Sequence, residues 1–118
     1  IPVCAGGPVE TGRGFLLHSD DFHEKDTIVV DDNFAISGTI DSLRKIVERR
    51  APRHMIFALG YAGWGAGQLE RELHDNAWLS VPATTELVFG TRPDLMWEYA
   101  YSSIGINPML LSGTAGRA

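Results

Sequence analysis

RHMIFALGYAGWGAGQLERELHDNAWLSV, residues Arg53 to Val81, is the stretch that decides how this chain reads. An apolar run, Met55 to Leu59, enters four glycines, Gly60, Gly63, Gly65 and Gly67, and continues into an amphipathic segment before Ala77-Trp78-Leu79. That order reads as strand, glycine-rich turn, helix, second strand. No polar residue interrupts the run, which predicts a strand buried on both faces. The helix, about Gly67 to Asp75, is expected to turn Leu69 and Leu73 inward, and Asn76 can end it.

The turn itself has two readings. Backbone amides ahead of a helix can hold an anion, which makes Gly63, Trp64, Gly65, Gly67 and Gln68 a candidate ligand-binding set for a phosphate or carboxylate. The other reading is a sharp strand-to-helix corner with Tyr61 and Trp64 plugging the core. The segment is not a Walker A loop, because no Lys-Ser/Thr follows the last glycine. It also departs from the dinucleotide fingerprint in spacing, and bulky Trp64 stands where a ligand would need close approach.

Towards the N-terminus, Ala5-Gly6-Gly7-Pro8 is a turn signal and residues 13–18 read as a strand closed by Ser19-Asp20-Asp21. Residues 27–30 and 33–37 are predicted to form a hairpin about Asp31-Asp32-Asn33. Residues 39–50 place Ile40, Leu43, Ile46 and Val47 at helical spacing, with Thr39 as cap, Asp41 at the positive end of the dipole and Pro52 as stop. Towards the C-terminus, residues 78–81 and 86–89 read as short strands around Pro82. A last helix begins at Thr91 with Pro93 and Asp94 in its first turn. It carries a Trp97, Ala100, Tyr101, Ile104 stripe and stops at Gly105. Residues 106–118 read as loop.

At 118 residues, 44% hydrophobic and 21% charged, the chain suits one globular domain, residues 1–118, large enough for its own core. A net charge of −5 argues against direct nucleic-acid binding, which needs clustered Lys and Arg. The basic group Arg44, Lys45, Arg49, Arg50 and Arg53 reads as one solvated helix face and its exit. No run approaches the roughly 18 apolar residues that cross a bilayer. One cysteine, Cys4, allows no internal disulfide and suits a reducing, cytoplasmic setting. The opening Ile1-Pro2-Val3 reads as a cut end rather than a loose polar one.

Few residues suggest chemistry. His18, Asp20, Asp21 and His23 are all potential ligands for a divalent ion. Read structurally, they are a strand end that His18 caps, followed by a solvated polar turn. Cys4 would need a base to act as a nucleophile and otherwise fills core. Glu70 and Glu72 point about 200° apart on a helix, so with Asp75 they read as a solvated face rather than an acid–base pair. No G-x-S-x-G elbow anchors a serine triad.

Three motifs in order, Gly6-Gly7-Pro8-Val9 with Arg13-Gly14-Phe15-Leu16-Leu17-His18, then Ala58-Leu59-Gly60-Tyr61-Ala62-Gly63-Trp64 with Gly67-Gln68-Leu69-Glu70, then Asn76-Ala77-Trp78-Leu79, resemble the AlgH/YqgE family of bacterial proteins. The ending Gly113-Thr114-Ala115-Gly116-Arg117-Ala118 is similar to the family's own. The resemblance implies an α+β (mixed α/β) fold in which a mixed β-sheet, partly curled on itself, packs with about three helices. It also implies a missing upstream strand–helix region, so that the sheet edge at Val3 would lie open to a partner or a second copy. The family's association with transcriptional regulation and alginate production implies a cytoplasmic, non-catalytic regulatory or binding protein, acting indirectly given the acidic balance. It brings no catalytic residue, metal or cofactor. The alternative is an enzyme or binder for a phosphate-bearing or nucleotide ligand seated at Gly60–Gly67. The expected partners are therefore a protein or a small anionic ligand, with no membrane.

Overall fold

The computed structural model describes residues 3–38, 40–48 and 51–107. The expected Thr39 cap, the Arg49-Arg50 pair, the first two residues and the tail from Pro108 lie outside the described residues, as do the Ile40 and Asp41 side chains. The backbone groups into two compact units, residues 1–63 and 64–118.

The first unit is a five-stranded mixed sheet with one helix. Its strands are β1 (Val3–Ala5), β2 (Val9–His18), β3 (Ile28–Val29), β4 (Ala35–Ser37) and β5 (Met55–Tyr61), and its helix is α1 (Ile40–Glu48). The sheet order is β1-β5-β2-β4-β3, open at both edges. β1 runs parallel to β5, and the remaining pairs are antiparallel. The expected hairpin is β3–β4. Its turn is held by the Asp31 carboxylate, which accepts from the amides of Asn33 (2.8 Å) and Phe34 (3.0 Å). β2 begins four residues earlier than its sequence pattern suggested. Between Val9 and Gly14 its register against β5 shifts, and Glu10 takes φ 45° in that bulge.

The core gathers under β2 and β4 rather than around β5. Leu16, Phe22, Phe34 and Ala35 are buried with His18, Ser19, Ser37 and Ser42. β5 holds the second place in the sheet, yet its side chains are only half-buried and Leu59 is exposed. The expected burial on both faces is thus corrected: strand neighbours satisfy its backbone, while its faces are incompletely covered. Val47 likewise lies 86% exposed, and Ser42, which gives its hydroxyl proton to Asp26 (2.7 Å), is the buried residue among the described side chains of α1.

The second unit is helical: α2 (Gln68–His74), α3 (Thr85–Phe89) and α4 (Met96–Ser103), the last preceded by a 3₁₀ turn at Pro93–Leu95. Both expected strands are corrected here. Residues 78–81 adopt no regular structure, and Trp78 and Leu79 are exposed. Residues 85–89 are helical because the Thr84 hydroxyl caps the Leu87 amide (3.0 Å), with Glu86 in the positively polarised first turn. Among the described residues the α-helices number four, α1 to α4. α2 and α4 end as expected, in Schellman turns: the amides after Asn76 (φ 60°) and Gly105 (φ 79°) bond back to Glu72 and Tyr101.

Candidate functional site

The corner between β5 and α2 starts from a contact only glycine allows. A Cβ on Gly60, whose φ is 78°, would stand 2.5 Å from the Gly7 carbonyl oxygen, and one on Gly6 would stand 2.3 Å from the Gly60 oxygen. The Gly6-Gly7 turn and the end of β5 are pressed backbone to backbone. Beyond them, Gly67 opens α2 with φ 76° and no side-chain cap.

α2 then organises its own approach. The Gly65 amide donates to Gln68 Oε1 (2.9 Å), and the Gln68 amide donates to the Gly65 carbonyl (3.0 Å). One turn on, Gln68 Nε2 donates to Glu72 Oε2 (2.8 Å). Glu72 Oε1 accepts two indole protons, from Trp78 (2.7 Å) and Trp64 (3.3 Å). The chain reversal at Asn76 is what returns Trp78 to Glu72. The two indoles meet edge to face, centroids 5.9 Å apart at 72°. They remain 39% and 50% exposed. The Trp78 hydrogen bond, then that from Gln68, hold the Glu72 carboxyl below its usual range against a slight opposing effect of burial, with help from Trp64 and the Arg71 charge.

Of the candidate set, the structure brings Trp64, Gly65 and Gln68 together, but around a carboxylate. The Gly65 amide is already bonded to Gln68, α2 is barely two turns long, and the Gln68 side-chain amide donates to Glu72. A Cβ built on Gly63 would have the Tyr61 ring at 3.9 Å. Trp64 does not plug the core; on α2, Leu69 is half-buried as expected, while Leu73 is exposed and Glu72 is half-buried. The sequence hid Glu72 because its partners lie eight residues before it and six after. The local signals were Gln68 four positions ahead and the Asn76 stop.

The H-x-D-D-x-H residues diverge. Asp20 accepts from His23 at 2.7 Å on the surface. Asp21 ties the start of β5 down, accepting from Ser19 Oγ (2.6 Å) and the Arg53 amide (3.0 Å). Burial alone would raise its carboxyl, but the bond from Ser19, the backbone amides of Arg53 and of Asp21 itself, and the Arg53 charge together lower it. Among the described residues, no cluster of three His, Cys, Asp or Glu side chains could hold a metal.

His18 does not cap a solvated strand end; it is fully buried against Phe22. Its Nδ1 faces the Ser19 carbonyl at 2.8 Å and must donate, while its Nε2 lies 2.8 Å from Ser37 Oγ, where a neutral ring would accept the serine proton. Ser37 then accepts from Thr27 Oγ1 (2.8 Å), and Thr27 accepts from the Glu24 amide (2.8 Å). A serine–histidine pair at this distance is the spacing of a nucleophile and its base. Here Ser37 is 2% exposed, and the adjacent Gly38 amide, which could serve an oxyanion, donates to Asp26 (2.8 Å). The relay fastens β2 to β4. Cys4 sits half-buried on β1 opposite Ala58.

The AlgH-like family model matches residues 1–109. A UPF0301 protein of Rhodospirillum rubrum is 52% identical over the whole chain, which covers 62% of that protein. One from Methylobacterium nodulans is 48% identical, with 57% of it covered. The solution structure of the AlgH protein from Pseudomonas aeruginosa matches all of this chain with a TM-score of 0.77 at 41% identity, over 62% of that protein's length. The chain thus spans about three fifths of the length of these relatives.

Proposed function

The chain belongs to the AlgH-like family, and from that membership and the indole pair fixed on Glu72 we propose that it is a binding and regulatory module that works by contact with a partner protein, without catalysis. The observation that carries this reading is the pair itself. Two large aromatic side chains are pinned by hydrogen bonds to one carboxylate and still left in solvent, with Leu79 beside Trp78 also 56% exposed. Anchored, part-exposed tryptophans are the side chains on which protein interfaces concentrate their affinity. Any role in transcription is then indirect, since the net charge of −5 suits neither DNA phosphates nor a negatively charged surface.

The setting proposed is the cytoplasm. Among the described residues, no helix is long and apolar enough to cross a membrane. An anionic ligand at Gly63–Gly67 is the weaker reading, because Glu72 would repel it. Self-association at β1 is a separate proposal that the edge position of this strand permits, with Val3 63% exposed.

A photo-crosslinking amino acid at position 79 tests the protein-contact reading in cells. It should trap one discrete protein adduct that disappears when Trp64 and Trp78 are both changed to alanine. Adducts only with nucleic acid, or a protein adduct indifferent to the two substitutions, would overturn it.

A further inference from the structure

An indole that donates its N–H to an anion gains electron density on its ring faces, and that density is what attracts a cation to an aromatic ring. Trp64 and Trp78 both donate to the ionised carboxylate of Glu72, so both rings are polarised in the same sense. Their 72° interplanar angle sets the edge of one ring against the face of the other, and both N–H groups meet at the same carboxylate oxygen. Gln68 occupies the other carboxylate oxygen and keeps the group from turning away.

Resting on the reading of this face as a protein contact, we propose that the Trp64–Trp78 corner receives a cationic side chain, guanidinium or alkylammonium, presented by an apolar segment of the partner. Charge complementarity selects this occupant: the corner is built on a carboxylate, and the chain as a whole is acidic. Leu79, the chain neighbour of Trp78, and Leu73, the neighbour of Glu72, supply exposed apolar surface for the flanking residues of that segment. Arg71, whose charge already acts on Glu72, is the internal cation that a partner would compete with.

The test follows the indole N–H signals of the uniformly ¹⁵N-labelled chain. It has three tryptophans, and Trp97, stacked on Tyr101 at 4.5 Å, serves as the internal control. The probes are the capped tripeptide Leu-Arg-Leu, its citrulline counterpart, which is neutral and nearly isosteric, and tetramethylammonium chloride. The arginine peptide should shift the Trp64 and Trp78 signals saturably and leave Trp97 in place. The citrulline peptide should bind about fivefold more weakly or worse. Glu72→Gln, which keeps an acceptor for the indoles and removes the charge, should bring the arginine peptide down to the citrulline level.

Equal binding of the two peptides overturns the cationic preference and leaves the protein-contact reading standing. No saturable shift with either peptide overturns the cation site, while position-79 crosslinking still decides the contact reading separately. Tetramethylammonium binding as tightly as the arginine peptide would show a small-molecule cation receptor and overturn the peptide part. The arginine–citrulline comparison uses the unaltered chain, so a folding defect in Glu72→Gln cannot mask the answer.

Discussion

Three glycine-to-alanine substitutions separate what backbone conformation costs from what close contact costs. At Gly12 a Cβ would meet nothing within 4 Å, and φ lies outside the left-handed region. The alanine there should be neutral or stabilising by up to about 1 kcal/mol, through the unfolded chain. At Gly67, φ 76° imposes the left-handed penalty, about 1–2 kcal/mol, while the nearest atom is the mobile Arg71 guanidinium nitrogen at 3.3 Å. At Gly60 the same penalty applies, and the Cβ would also lie 2.5 Å from the Gly7 oxygen and 3.1 Å from that of Val9. Those are backbone atoms of neighbouring strands and turn, so β1 and β2 must shift, and overpacking of this kind adds about 1–3 kcal/mol. The Gly60 variant should therefore lose about 2–5 kcal/mol, roughly 8–20 °C in Tm for a chain of this size. Asparagine, which tolerates the left-handed region, should recover much of the loss at Gly67 and little at Gly60. The assay is thermal and urea unfolding followed by far-ultraviolet circular dichroism. Tryptophan fluorescence is followed in parallel, because Trp64, Trp78 and Trp97 all lie in the second unit. Equal losses at Gly60 and Gly67, or equal rescue by asparagine, would refute the contact argument.

Further expectations follow from single side chains. The folded-state Asp21 carboxyl lies below its ordinary value of about 3.9, so its contribution to stability is complete above about pH 4 and is lost as pH falls through the folded value. Asp21→Asn should flatten that acid limb in urea midpoints taken against pH, and an unchanged limb would remove Asp21 as its source. Trp78→Phe deletes the leading cause of the lowered Glu72 carboxyl, which should move back up towards the usual range when followed by carboxyl ¹³C shifts. A Glu72 titration left where it was would dissolve the indole–carboxylate arrangement. Ser37→Ala leaves the buried His18 Nε2 without its donor and should cost about 2–3 kcal/mol in denaturant unfolding. A loss under about 0.5 kcal/mol would mean the relay does not fasten β2 to β4.

What the sequence made legible was local in origin. The Asp31-Asp32-Asn33 turn, the Asn76 and Gly105 helix stops and the passage from Leu59 through glycines into a helix each depend on residues a few positions apart. The misreadings have two causes. Trp78–Val81 and Glu86–Phe89 carry apolar or β-branched residues, but a strand needs a partner, and the second unit offers none among the described residues; the Thr84 cap then decides for helix. The β1–β5 pairing and the His18–Ser37 bond depend on residues distant in sequence, so no periodicity announces them. His18 in particular looked like a ligand beside Asp20, Asp21 and His23, because a buried histidine and a coordinating one share the same letter.

Glu72 shows why such failures are informative. Helical periodicity assigned Leu69 and Leu73 to the interior and Glu72 to solvent; Leu69 is half-buried as assigned, but Leu73 is exposed and Glu72 is partly covered, bonded to two indoles. For a helix whose only task is to pack, the departure at Leu73 and Glu72 is unfavourable, since apolar area stays in water and a charge loses some hydration. The hydrogen bonds from Trp64, Trp78 and Gln68 offset the loss for Glu72, but nothing within the helix offsets the exposure of Leu73 and the indoles. Departures from local rules of this kind gather at functional sites. The surface they leave here is aromatic and apolar beside a carboxylate, so the missing stabilisation is expected from a partner that brings apolar side chains and a positive charge together.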